Sequence, residues 1–140
     1  MHKEQLLIPL RFCFVMWGVF SIEYFFGFDL GYLGINPRSI SGLVGIIAAP
    51  FIHGNSAHLI SNTLPILFLG ASLFYFYPLV AKQVFLQCYL FTNLLVWILA
   101  RPFYHIGASG LVYGLASFLV FFGILNRNRL GILVAMVVII

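Results

Sequence analysis

The chain has 140 residues, 63% of them hydrophobic and 7% charged, with a formal net charge of +4 and a mean hydropathy of +1.10. A soluble domain carries about 25% charged residues, and a chain this short needs a polar shell, because surface dominates at its size. A soluble globular domain, a disordered chain and a disulfide scaffold are therefore excluded, and an integral membrane protein remains.

The first predicted span is Leu7–Phe28, interrupted by Arg11 and Glu23. A basic start before an apolar run is signal-like, but no small-x-small site follows, so it reads as an uncleaved span. Residues 29–55 carry Gly31, Gly34, Pro37, Gly42, Gly45, Pro50 and Gly54 and read as loop. Within them, 42–52 is too apolar for an aqueous loop and too short to cross a bilayer, so a partly inserted loop is expected. Further spans are predicted at Ala57–Tyr77, Gln83–Ala100 and Gly107–Leu125, joined by short linkers that make consecutive helices antiparallel. A fifth begins at Leu130 and meets the end of the sequence at Ile140, after ~16 Å of rise at 1.5 Å per residue. The expected fold is an all-α polytopic transmembrane bundle: four full spans, the start of a fifth, and one domain over 1–140.

The cations are spread between the apolar segments rather than clustered, which excludes a nucleic-acid patch and makes them topology signals. With a cytoplasmic N-terminus the inner ends hold Lys3, Arg11, Lys82, Arg127 and Arg129, and the outer loops hold Arg38 and Arg101. Five against two favours that orientation. Cys13 and Cys88 lie in apolar runs without metal-ligand spacing and read as buried thiols. No cluster of His, Cys and carboxylates is present to hold a metal, so no metal or cofactor is expected. Tyr75 and Tyr77 fall near the inner boundary, as interfacial aromatics do.

Polar groups inside a membrane are costly and are read as functional by default. Two clusters stand out, His53–Asn62 at the outer start of the second span and His105–Gly114 at the outer start of the fourth. His58 and Asn62 are four residues apart on one helical face, and so are Ser109 and Tyr113. Span counting puts all four residues in the same outer layer. A serine in the first turn of a helix, flanked by Gly107 and Gly110, suits nucleophilic attack. The unpaired N–H groups of that turn, with the His58 and Asn62 side chains, could stabilise an oxyanion. The plainer alternative makes Ser109 an N-cap, Gly107 and Gly110 close-packing residues, and His58/Asn62 an interhelical hydrogen-bonding pair.

The pattern His-x4-His-x3-Asn on one span, then Gly-x-Ser-Gly-x2-Tyr-Gly two spans later, resembles the rhomboid intramembrane serine proteases. The resemblance implies that Ser109 is the nucleophile and that His58 and Asn62 stabilise the oxyanion, with Gly107 and the Ala108 backbone completing the hole. It implies that Tyr113 packs on the catalytic histidine, that His53 anchors a loop above the site, and that 29–55, with Asn36-Pro37-Arg38, is the family's long first loop. The implied partners are a transmembrane protein substrate and the lipid bilayer.

The family's general base is a histidine on the sixth span, and this sequence has only His2, His53, His58 and His105. His58 is assigned to the oxyanion. His105, four residues before Ser109, is the one local alternative. The expectation is that the base lies beyond residue 140 and that the 140-residue chain alone is inactive. Two rivals stand beside the protease: a catalytically dead relative that binds transmembrane clients, and a transporter or channel subunit. Polar residues gathered at one depth disfavour a continuous pathway. Glu23 is expected either to snorkel or make a polar contact within the bundle, or to tether the first loop through Arg38 or Arg101. Compactness and the lack of extra domains suggest a bacterial inner membrane.

Overall fold

The structure, a computed structural model, describes Glu4 and residues 7–139. The helices are α1 (Leu7–Phe26), α2 (Gly45–Ala48), α3 (Ser56–Phe76), α4 (Ala81–Leu99), α5 (Ser109–Leu125) and α6 (Arg129–Ile139). Short 3-10 turns at Gly31–Leu33, Ser41–Leu43 and Ala49–Phe51 punctuate the first loop. Among the described residues there is no strand, only an isolated antiparallel bridge between Ile35 and His105.

Among the described residues three helices, α1, α3 and α4, are long and apolar enough to cross a membrane. The fourth predicted span, α5, has 17 residues, the short end of the spanning range. It starts two residues later than predicted because Gly107 adopts a φ of +99°, which a right-handed helix cannot include. Likewise α1 stops at Phe26 because Gly27, at φ +68°, closes it in the left-handed conformation common just past helix ends.

The central helix is α3, which touches α1, α4, α5 and α6. Its buried positions Leu59, Asn62, Ile66, Leu69 and Leu73 recur every three or four residues and form one stripe. Lipid tails are as apolar as leucine, so between membrane helices it is close packing that holds the bundle together. Small residues provide it here. A Cβ on Gly70 would lie 2.6 Å from Pro9 Cγ of α1, and one on Gly114 would lie 3.0 Å from Cys88 Cβ of α4. Large apolar side chains such as Phe14, Phe68, Phe91 and Phe121 stay on the outside, as a lipid-facing surface requires.

The first loop is fastened at two levels. Near its start, Arg38 donates from its backbone to the Trp97 carbonyl and from its guanidinium to the Ile98 and Ala100 carbonyls, at 2.9–3.0 Å, while Trp97 Nε1 donates to the Ser39 carbonyl at 2.9 Å. Further along, the carbonyls of Ile46 and Ile47 in α2 accept from Asn93 Nδ2, at 3.0 Å, and from the Tyr89 hydroxyl. Tyr89 and Asn93 lie ~15 Å and ~9 Å from the C-terminal end of α4 at 1.5 Å per residue. The apolar stretch around α2 thus reaches about halfway down α4, the depth expected of a partly inserted loop.

Candidate active site

Asn55 N-caps α3, its Oδ1 accepting the His58 N–H at 2.8 Å, and so sets the register of the helix that carries His58 and Asn62. Asn62 is buried and donates from Nδ2 to the His58 carbonyl at 2.9 Å. An amide nitrogen has two protons, so one remains for another acceptor. Across from them, Gly107 precedes α5. A Cβ there would stand 2.5 Å from His58 Nε2 and 3.7 Å from Asn62 Nδ2, so both side chains converge on the backbone just before Ser109. The Gly107 N–H donates to the Ala49 carbonyl at 2.9 Å, tying this backbone to the end of the inserted segment.

Ser109 is the first residue of α5 and is exposed. It is not the N-cap: Ala108, buried at 1% exposure, holds that position and no side chain caps the helix. The first-turn N–H groups therefore keep no capping side chain. Gly110 does pack closely, since a Cβ there would lie 2.9 Å from Thr92 Oγ1 of α4. Among the described residues no side chain hydrogen-bonds Ser109 Oγ. Tyr113, one turn further along α5, is 63% exposed, and no described histidine packs against it.

His53 is buried at 3% exposure, with its ring 5.0 Å from that of His58. Its Nδ1 lies 3.4 Å from the Phe51 carbonyl, a weak local anchor. Burial first, and then the facing His58, push its pKa down to about 4, so the ring is neutral near pH 7. His105 is occupied elsewhere. Its backbone pairs with Ile35, its Nε2 donates to the Arg101 carbonyl at 3.0 Å, and its ring stacks on Phe103 at 4.5 Å. His2 lies outside the described residues.

Residues 41–140 match a family model described as the Rhomboid domain. The chain belongs to the rhomboid family. An uncharacterized protein of Mycobacterium bovis and one of Mycobacterium tuberculosis are each 33% identical to it over 143 residues, covering 92% of this chain and 56% of the relative. An uncharacterized protein of Mycobacterium leprae is 31% identical over 138 residues, covering 91% of this chain and 53% of the relative. The chain thus spans about half the length of the curated relatives it matches. No solved structure matches it significantly. Family membership and apolar helices together make it an integral membrane protein.

Three features of this rhomboid chain refine the sequence reading. Of the two readings of Glu23, the polar contact is the one found: its Oε1 accepts the Leu30 N–H at 3.0 Å, whereas the Arg38 guanidinium is held by α4 carbonyls. Tyr77 is not simply an interfacial residue. Its ring packs on Phe118 and Phe122, and its hydroxyl accepts from Asn128 Nδ2 at 3.3 Å, joining the end of α3 to the α5–α6 turn. Asn93 is a further buried polar residue of the same outer layer: it lies six residues from the end of α4, as Asn62 lies six from the start of α3, and a Cβ on Gly110 would stand 3.6 Å from its Oδ1. An asparagine inside a span is itself a signal. Its Nδ2 is spent on the inserted loop.

Proposed function

We propose that this chain carries the nucleophile and oxyanion hole of an intramembrane serine endopeptidase. Ser109 Oγ attacks the scissile carbonyl of a transmembrane polypeptide near the outer face of the bilayer. The carbonyl oxygen becomes an oxyanion, taken up by the His58 and Asn62 side chains and the backbone around Gly107 and Ala108. The peptide bond then breaks, the amine leaves with a proton from the general base, and water releases the acyl-enzyme. The base is a histidine contributed from beyond residue 140, against which Tyr113 packs. Bacterial inner membrane and a cytoplasmic N-terminus belong to the same proposal.

One observation carries it: His58 Nε2 and Asn62 Nδ2 converge on Gly107, two residues before an exposed serine that opens α5. Donors fixed where negative charge develops are worth about 10²–10³ in kcat each. The length of the mycobacterial relatives leaves room for further spans. A catalytically inactive client-binding protein is the second reading, favoured by the absence of any hydrogen bond to Ser109 Oγ among the described residues.

Fluorophosphonate labelling of the full-length protein separates the two. Labelling at Ser109, lost in Ser109→Ala and accompanied by cleavage of a transmembrane substrate, is the expected result. A folded, unlabelled protein that still binds clients would favour the second reading. Cleavage by the 140-residue chain alone would overturn the assignment of the base to later sequence.

A further inference from the structure

Beside the serine layer lies a cleft of about 870 Å³ between the last turns of α1 and the start of α3. Its lining includes Phe20, Glu23, Tyr24, Phe28, Asp29 and His53. The whole sequence has three acidic residues against seven Lys/Arg, yet two of those three line this one cleft, and among the described residues no Lys or Arg does. Two polar atoms of its lining are buried without a hydrogen-bond partner among the described residues, Glu23 Oε2 and His53 Nε2. Both are acceptors. Glu23 spends only Oε1, on the Leu30 N–H. His53 Nδ1 faces the Phe51 carbonyl and so carries the ring proton, leaving a lone pair on Nε2. Burial favours the neutral ring, with a pKa of about 4, which preserves that lone pair. The remaining walls are aromatic, with Phe20 and Tyr24 stacked at 6.4 Å, and aromatic faces attract cations. Among the described residues no three His, Cys, Asp or Glu side chains are grouped to hold a metal ion. An organic cation with several N–H donors fits this set of acceptors better.

We propose that the cleft is a specificity subsite for a cationic side chain, the ammonium of a lysine or the guanidinium of an arginine, in the client polypeptide just outside the membrane. The inference rests on the proposed client-cleaving function and adds to it a chemical preference. His53 lines the cleft and its ring lies 5.0 Å from His58, so the subsite adjoins the oxyanion side chains. An extended chain advances about 3.3–3.6 Å per residue, so five positions on either side of the scissile bond reach about 18 Å from it.

The test uses the full-length Ser109→Ala protein in nanodiscs and fluorescent transmembrane peptides. Each peptide carries one lysine scanned through the five positions on either side of the cleavage site and is compared with its glutamine twin. The expected result is a position where the lysine peptide binds about tenfold tighter at low salt than its twin. That ratio should fall to about one in Glu23→Gln/Asp29→Asn: the carboxylates accept the Leu30 and Gly31 N–H groups at 3.0 and 2.8 Å, and the amide oxygens can still do so. The preference should hold in both phosphatidylglycerol and phosphatidylethanolamine discs. Equal binding of the twins at every position overturns the proposal. So does a preference abolished by phosphatidylethanolamine, which would mark a headgroup amine as the occupant. Cleavage by the Ser109-containing protein is read separately: a lysine preference in binding without cleavage defeats the protease assignment alone, and cleavage without the preference defeats the subsite alone.

Discussion

At Gly107 two demands fall on one residue. Its φ of +99° is open to glycine and strained for any other residue, and a methyl group would press on His58 Nε2 at 2.5 Å. Gly107→Ala should cost about 1–3 kcal/mol of stability through backbone strain. It should also lower cleavage by the full-length protein at least about 100-fold, because displaced donors no longer meet the developing charge. Thermal melting and initial rates measured on the same preparation separate the two effects; unchanged rates would remove His58 from the oxyanion role. His53 makes a different prediction. Its folded pKa of about 4 lies below the ordinary histidine value of 6.5, so between those values the unfolded chain takes up a proton that the folded chain refuses. Its contribution to stability is complete above pH 6.5 and is lost as pH falls toward 4. The melting temperature in detergent should drop across that window, and His53→Asn should flatten the drop. Parallel profiles for the two proteins would assign the acid sensitivity to other groups. The i, i+4 spacing of His58 and Asn62 made their shared face legible in the sequence. The approach of that face to Gly107 was not, because it depends on how α3 and α5 cross.

The inserted loop depends on α4. Asn93→Leu leaves the Ile46 carbonyl without its donor, and Tyr89→Phe does the same to Ile47, each costing about 1–3 kcal/mol if the carbonyl stays buried. The loss should be local, with faster amide exchange over 44–50 while the centre of α3 keeps its protection. Ser72→Ala is the control. Its hydroxyl only back-bonds to the Phe68 carbonyl within the same helix, so no change is expected. Equal exchange in all three variants would show that the loop holds its depth by apolar packing alone. Composition and length located α1, α3, α4 and α5, because twenty or so apolar residues have few other uses. They also indicated a segment too apolar for water and too short to span. What held it in place was hidden, since Asn93 and Ile46 are 47 residues apart and no local period links them. The end of α1 at Gly27 was equally hidden, because an apolar run continuing to Phe28 masks a glycine that turns left-handed.

Over the whole molecule, orientation rests on where the cations fall. One of those cations also has a structural role. Arg38, one of the two cations assigned to the outer side, has its guanidinium bound to the Ile98 and Ala100 carbonyls and is part of the loop's fastening. Its charge is offset locally by carbonyl dipoles at the C-terminal end of α4. The proposed cytoplasmic N-terminus rests on Arg38 and Arg101 against Lys3, Arg11, Lys82, Arg127 and Arg129. Single cysteines read it directly. Leu79, 99% exposed, lies in the α3–α4 turn, and Phe103, 55% exposed, lies in the α4–α5 loop. In intact cells an impermeant maleimide should label Phe103→Cys and should reach Leu79→Cys only after permeabilisation. The native Cys13 is buried and Cys88 is half-buried, both within helices, so their background should be low. The charges can then be tested as the cause. Replacing Lys82, Arg127 and Arg129 with glutamine should let a fraction of molecules insert inverted, giving label at Leu79→Cys without permeabilisation, whereas Arg38→Gln should loosen the first loop and leave orientation unchanged. The opposite labelling pattern in the unaltered background would place Ser109 at the cytoplasmic face, and client cleavage with it.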